Sequence, residues 1–172
     1  MPLRTSDLVV LAVVVTASGA AAAIDLRTGR IPNPLTALVA ITGLALAGLG
    51  LSGHSMAGAL VGALLGFALM LPGHILGGTG AGDVKLLAAL GTVLGPGGVV
   101  MAFLYSAIAG GLLAVGHALK RRRLATTLSR TARLVATPGE TKKEIDGAPH
   151  ASRFAYGPAL AIGAIAAALL VR

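Results

Sequence analysis

The sequence predicts an all-α fold, a polytopic membrane-embedded helical bundle with about six transmembrane segments. Hydrophobic residues make up 55% of the 172-residue chain, and its mean hydropathy is +0.86. Charged residues make up 12% of the chain, well below the quarter or so that is typical of soluble domains. A chain of this composition would aggregate in water, so we expect one membrane-embedded domain over residues 1–172.

Each apolar run of the sequence predicts one helix, and Gly and Pro turn signals separate the runs. The longer runs reach about 17 residues or more, enough to cross the hydrocarbon core at about 1.5 Å per residue. The fourth run is short and ends at Gly95-Pro96-Gly97-Gly98, so we expect it deep in the bundle or partly re-entrant. In the third run, Gly58, Gly62 and Gly66 predict a close helix contact. The six predicted spans cover residues 8–24, 35–51, 56–71, 84–94, 99–119 and 154–171.

Basic residues cluster in one hydrophilic segment. Of the 14 lysines and arginines, nine lie between residues 120 and 153, and the first loop holds Arg27 and Arg30. By the positive-inside rule, both loops lie on the cytoplasmic face of the membrane. The net charge of +8 then suits anionic membrane lipids rather than nucleic acid. The residues that we expect to bind lipid headgroups are Arg121, Arg122, Arg123, Arg130 and Arg133.

Two aspartates interrupt this apolar sequence at informative places. Asp25 ends the first run, and Asp83 closes the turn Gly80-Ala81-Gly82-Asp83 before the fourth run. A carboxylate at a membrane boundary is costly unless it faces water, a partner or a reaction. With six spans, both acids fall on the cytoplasmic face. Taken alone, Asp83 also fits the N-cap of the fourth helix.

Two carboxyl groups can hydrolyse an amide without a metal ion or a covalent nucleophile. One takes a proton from water, and the other protonates the substrate carbonyl. When the two groups lie close together they share a proton, because they do not easily ionise together. Gly80 and Gly82 would let the backbone approach an extended peptide. The pattern therefore predicts an intramembrane aspartic peptidase with Asp25 and Asp83 as its catalytic residues.

Asn33 and Lys85 are further candidates for supporting this site or binding substrate. Asn33 follows a proline turn and is placed to hydrogen-bond near the aspartates. Lys85 lies two residues after Asp83, on another face of the helix, which leaves open a membrane anchor or a role in tuning the acid. We expect no metal, no cofactor and no catalytic role for the four histidines; His74 lies near the turn without a second ligand beside it. The chain has no cysteine, which excludes thiolate catalysis and disulfides within it.

Three blocks, in order along the chain, resemble the type IV prepilin peptidases, the GxGD aspartic peptidases of the bacterial inner membrane. The resemblance implies that Asp25 and Asp83 match the two catalytic aspartates of that family. It also implies that the substrate is a pilin precursor whose short basic leader is cut on the cytoplasmic side. The blocks are Asp25-Leu26-Arg27-Thr28-Gly29-Arg30-Ile31-Pro32-Asn33, Gly80-Ala81-Gly82-Asp83-Val84-Lys85-Leu86-Leu87-Ala88-Ala89-Leu90-Gly91 and Tyr156-Gly157-Pro158-Ala159.

The chain departs from the longer members of that family. Those members carry an added cytoplasmic segment with paired cysteines, which is associated with methylating the new N-terminus. Here seven residues precede the first run and cysteine is absent. The chain therefore resembles the short forms that serve Flp or tight-adherence pili, and we expect no N-methylation.

Three other functions stay open at this point. Another GxGD intramembrane protease would share the second block, although the Tyr-Asp pair expected before it is missing because Ile24 precedes Asp25. A small transporter would be expected to carry its polar residues near the bilayer midplane rather than at one face. A non-catalytic membrane assembly factor would keep its function after alanine substitution of either aspartate.

Overall fold

The computed structural model describes residues 5–120 and 156–170, and every regular element in these ranges is an α-helix. The predicted all-α fold is confirmed for this part of the chain. The basic segment predicted at 120–153 lies outside the described residues apart from Lys120, and so do the five arginines expected to bind lipid. The helices are α1 (Thr5–Thr28), α2 (Asn33–Gly48), α3 (Met56–Ile75), α4 (Ala81–Lys120) and α5 (Gly157–Leu170).

In the part of the chain that the structure describes, three helical stretches are long and apolar enough to cross a membrane. They are Thr5–Thr28, Met56–Ile75 and Ala81–Gly116. Helices α2 and α5 are apolar too, but they have 16 and 14 residues, fewer than about 17, the lower end of the range for a membrane crossing. Large apolar side chains such as those of Leu38 and Leu64 are exposed on the outer surface, as a lipid-facing surface requires. The count of six spans stays a prediction.

The chain turns sharply between α1 and α2. Gly29 has a φ of 65°, a left-handed conformation that favours glycine. Its N–H donates to the carbonyl of Asp25 over 2.8 Å and so caps the end of α1. Pro32 then stands immediately before Asn33, the first residue of α2, and Pro34 occupies the first turn, where no helical hydrogen bond is lost. The prolines thus set where the second helix begins.

Helix α4 is broken at Gly95, where φ is 70° and ψ is −176°. Pro96 follows, and because proline has no N–H, the carbonyl of Thr92 loses the donor it would have in a continuous helix. His54, from the loop between α2 and α3, replaces that donor: its Nε2–H donates to the Thr92 oxygen over 3.1 Å. Residues 81–94 and 96–120 are therefore two helical segments, as the Gly-Pro signal predicts.

The first segment of α4 lies at the centre of the bundle. Leu86, Leu87 and Leu90 are fully buried there, in one apolar cluster with Val14 of α1 and Leu160 of α5. Helices α2, α3 and α5 all pack against α4, and α1 packs mainly against α5. The start of α4, the end of α1 and the start of α5 consequently meet at one end of this core.

Small residues let α3 approach α4 closely. A Cβ on Gly62 would collide with the backbone of Gly91, and a Cβ on Gly66 would lie 2.6 Å from the Leu87 carbonyl oxygen. Gly58 instead lies beside the side chain of His54 in the α2–α3 loop. The glycine ridge predicted in the third run therefore contacts α4 at two of its three positions.

Candidate active site

Asp25 lies in the last turn of α1, beside the start of α5. Its side chain is 7% exposed, and its Oδ2 accepts a hydrogen bond from the backbone N–H of Gly157 over 2.9 Å. Gly157 is the first residue of α5, so this N–H is one of the donors that a helix leaves free at its N-terminus. The positive end of the α5 dipole therefore faces the Asp25 carboxylate.

The lack of a side chain at Gly157 makes room for that carboxylate. A Cβ at this position would lie 2.7 Å from Oδ2 of Asp25 and 2.9 Å from its Cβ. The preceding Tyr156 packs its ring against Gly110 of α4, and its hydroxyl donates to the carbonyl of Ser106 over 3.3 Å. The start of α5 is thus held to α1 by one contact and to α4 by the other.

Asp83 is the third residue of α4 and is also 7% exposed. Its Oδ2 accepts a hydrogen bond from the N–H of Gly80 over 3.0 Å, and its own N–H donates to the Gly80 carbonyl over 3.1 Å. An acidic side chain that reaches back from the third helical position to the residue before the helix is half of a capping box. Gly80 therefore occupies the N-cap, and Asp83 caps the helix from inside its first turn.

The fold brings Asp25 and Asp83 together. The charges of the two side chains interact, and Asp83 also interacts electrostatically with His74 and Tyr156. Within the described ranges no hydrogen bond joins the two carboxyl groups, and neither Oδ1 accepts one from the protein. Each acid thus has one oxygen held by a backbone N–H and one oxygen available to water or substrate. Neighbouring buried carboxyls can share a proton, because they do not easily ionise together.

Gly80 and Gly82 both lie in the turn that carries Asp83. A Cβ on Gly82 would come within 3.0 Å of the Ile31 Cβ and 3.3 Å of the Ile31 backbone N and O. A Cβ on Gly80 would lie 3.2 Å from Oδ2 of Asp83. The two glycines therefore let the segment after α1 and the carboxylate pack closely against the turn. Their predicted approach to an extended peptide stays a prediction.

Lys85 and Asn33 contact each other. The Nζ of Lys85 donates to Oδ1 of Asn33 over 2.9 Å, which ties α4 to the first residue of α2. Because successive helical residues are about 100° apart, Lys85 lies about 200° around α4 from Asp83. Both side chains line an open groove of about 370 Å³ between α2, α3 and α4. Lys85 and its partner Asn33 therefore lie on the side of α4 away from Asp83. The role of these two residues at the site stays a prediction.

One direct partner of Asp25 was missed in the sequence, the N–H of Gly157. A local signal was present, since Gly157 and Pro158 open a helix and a helix start leaves its N–H groups free. The sequence does not show that this start lies beside residue 25. Among residues 5–120 and 156–170, no three His, Asp or Glu side chains are grouped as a metal site would need; chemistry without metal or cofactor stays a prediction.

Comparison with known proteins agrees with the motifs. The model of the type IV leader peptidase family matches residues 12–115, which is more than half of the chain and includes both aspartates. Neither the curated proteins nor the solved structures gave a match. The resemblance to this protease family is therefore confirmed, and the apolar helices fit its association with membranes. The chain belongs to the type IV leader peptidase family.

Proposed function

We propose that this protein is a prepilin leader peptidase, an aspartic endopeptidase that removes the short basic leader from type IV or Flp-type prepilins. Membership of the family supports proteolysis. The observation that carries the aspartic mechanism is the pair formed by Asp25 and Asp83. Both carboxyl groups are buried and electrostatically coupled, and each keeps one oxygen free of partners in the described protein.

The pair can divide the work of peptide hydrolysis between its two members. A water molecule bound at the free oxygens loses a proton to one carboxylate as its oxygen attacks the scissile carbonyl carbon. The other group, protonated at that moment, donates its proton to the carbonyl oxygen. The C–N bond of the resulting gem-diol then breaks as the group that took the proton from water gives it to the leaving nitrogen. The other group takes a proton back from one hydroxyl of the gem-diol, which releases a carboxylic acid and returns the pair to its starting state.

Two backbone groups keep the acids oriented during this cycle. The N–H of Gly157 holds Oδ2 of Asp25, and the N–H of Gly80 holds Oδ2 of Asp83. With one oxygen of each acid held by a main-chain donor, the free oxygens are restricted in orientation relative to the water and the carbonyl. Gly80 and Gly82 also support the turn sterically, and the hydrogen bond between Lys85 and Asn33 joins α2 to α4, the helix that begins at the turn.

The proposal places the site at the cytoplasmic face of the inner membrane. Arg27 and Arg30 are exposed just beyond Asp25, and the positive-inside rule keeps such a loop in the cytoplasm. In the six-span topology, the start of α4 lies on the same side. The basic segment predicted at 120–153 would join them there and bind anionic lipids through Arg121, Arg122, Arg123, Arg130 and Arg133. A prepilin leader in the cytoplasm would reach the aspartates from this side.

Co-expression with candidate prepilins tests the proposal. Mass spectrometry of the pilin should show loss of the leader with the wild-type protein and no loss with Asp25→Asn or Asp83→Asn at equal membrane levels. Asp7→Asn is a matched control, because Asp7 lies in the first turn of the same helix as Asp25, and it should retain cleavage. Cleavage of the prepilin by Asp25→Asn or by Asp83→Asn would reject the aspartic mechanism.

The same experiment separates the alternative functions. Cleavage of other membrane peptides but of no prepilin would favour a different GxGD protease. Absence of any cleavage by the wild-type protein would favour a transporter or an assembly factor.

A further inference from the structure

The loop between α3 and α4 is tied to the end of α3 through Thr79. The carbonyl of Gly73 accepts hydrogen bonds from the N–H of Gly78 over 2.8 Å and of Thr79 over 3.3 Å. The Nδ1 of His74 lies 3.0 Å from the carbonyl oxygen of Thr79. Because a carbonyl can only accept, Nδ1 carries the proton and donates it. The main chain of Thr79 is therefore held at both its N–H and its C=O.

The Thr79 carbonyl belongs to the same peptide group as the N–H of Gly80, the donor to Asp83. A peptide group is planar, with its C=O and N–H pointing in opposite directions. His74 therefore bonds one edge of this plane at 3.0 Å, while Oδ2 of Asp83 bonds the opposite edge at 3.0 Å. Hydrogen bonds at the two ends of one peptide group polarise each other. The bond from His74 to the Thr79 carbonyl therefore strengthens the bond from the Gly80 N–H to Asp83.

Among the described residues, the side chain of His74 alone bonds the carbonyl edge of this plane. In the described part of the chain, the Thr79 carbonyl accepts no other side-chain hydrogen bond, and the Thr79 hydroxyl oxygen is buried without a partner. Gly77 and Gly80 flank the segment, and Gly77 has a φ of 80°. Such a glycine-rich turn can rotate its peptide planes easily. The His74 bond is therefore what selects one orientation of the Thr79–Gly80 plane.

We propose that His74 is a positioning residue for Asp83, acting through the Thr79–Gly80 peptide group. The inference deepens the proposed function, on which it rests: His74 controls the direction of the Gly80 N–H and, through it, of the Asp83 carboxyl group. No catalytic role is predicted for His74 from the sequence, and His74 touches neither water nor substrate in this scheme. Its effect is on the geometry of the acid.

Three substitutions separate the hydrogen bond from the size and charge of the imidazole. In His74→Asn the amide nitrogen takes the place of Nδ1, without a titratable group. In His74→Gln the amide lies one bond farther out, at the place of Nε2, and misses the Thr79 carbonyl. His74→Leu removes the donor. We expect His74→Gln and His74→Leu to lower kcat about tenfold with KM changed less than about twofold. We expect His74→Asn to stay within about twofold of the wild-type kcat.

His54→Leu is the matched control. His54 also donates from its ring to a backbone carbonyl of α4, that of Thr92 at 3.1 Å, but that peptide group does not contact Asp83. Loss of the His54 hydrogen bond should lower the thermal unfolding midpoint but leave kcat unchanged. An equal fall in kcat in His74→Asn, His74→Gln and His74→Leu would overturn the proposal. A wild-type kcat in His74→Gln would also overturn it. His74→Gln keeps a polar side chain of similar size at this position, so this variant remains informative if His74→Leu fails to accumulate.

A second readout does not depend on peptidase activity. The chain has no cysteine, so a spin label on Ala81→Cys reports on the exposed start of α4 alone. Its electron paramagnetic resonance spectrum should show a more mobile label in His74→Gln and His74→Leu. The label should have wild-type mobility in His74→Asn and His54→Leu. Equal mobility in all of them would overturn the positioning role. Failure of the wild type to cleave prepilins, with the mobility differences present, would reject the proposed function and leave the positioning role standing.

Discussion

Gly62 of α3 and Gly91 of α4 pack backbone against backbone, with no side chain between them. A Cβ on Gly62 would collide with the Gly91 carbonyl oxygen, and a Cβ on Gly91 would lie 2.9 Å from the nitrogen of Ala63. Helix α3 leads into the turn before Asp83, and the first segment of α4 carries Asp83 itself. The crossing of these two helices therefore determines where the second aspartate lies.

Gly91→Ala should separate the two helices and destabilise the protein by about 1–3 kcal/mol, the usual penalty of overpacking. The thermal unfolding midpoint in a single detergent measures this effect. Gly111→Ala is the control on the same helix, because a Cβ there meets nothing within 4 Å, and its midpoint should be unchanged or slightly higher. A midpoint for Gly91→Ala equal to that of the control would contradict the close crossing.

Gly157→Ala should reduce peptidase activity by about a hundredfold, because the added methyl group must displace the Asp25 carboxyl by about an ångström. The backbone N–H is retained, so the loss would come from the position of the acid. Initial rates on a prepilin substrate provide the measurement. Gly116→Ala, where a Cβ meets nothing within 4 Å, should have wild-type activity. Full activity of Gly157→Ala would show that the observed contact with Asp25 does not matter to the reaction.

Asp25→Asn and Asp83→Asn should each lower kcat by at least about a hundredfold, since Asn keeps the shape of Asp but neither takes nor gives the proton. The double variant should be hardly slower than either single one, because groups that act as a unit lose their effect together. Single-turnover rates of the three variants test this. Losses that multiply in the double variant would show two independent groups instead of a coupled pair.

Reporter fusions should place both basic loops in the cytoplasm. A reporter after Arg123, which lies outside the described residues, should give a cytoplasmic signal, and one after Leu170 should give an external signal. Paired alkaline phosphatase and fluorescent protein fusions at each position provide the measurement. An external signal from the Arg123 fusion would remove the argument that both aspartates lie on the cytoplasmic side.

Features encoded locally were predictable from the sequence. The backbone chemistry of Gly95 and Pro96 predicts the break in α4. In the same way, Pro32 and Pro34 predict the start of α2. Asp25 and Asp83 were recognisable as candidates for a site because an acid next to an apolar run has few structural uses. The structure places these two acids together and buries both.

Two misses have physical causes. The third span was expected to end at residue 71, but α3 continues through Pro72 to Ile75, since one proline near a helix end removes a single hydrogen bond. The hydrogen bond between Gly157 and Asp25 joins residues 132 positions apart, and nothing local to either one specifies it.

The contact between Asp25 and α5 also has a consequence for biosynthesis. Translation produces α1 to α4, with both aspartates, well before residue 157 leaves the ribosome. Until α5 docks, Asp25 lacks the N–H of Gly157 that holds its Oδ2, and Gly110 of α4 lacks its contact with the ring of Tyr156. A nascent chain, or one truncated before α5, therefore carries both acids without an assembled site. We therefore expect a chain that lacks docked α5 to be inactive toward neighbouring membrane peptides, because Oδ2 of Asp25 then has no backbone N–H to hold it.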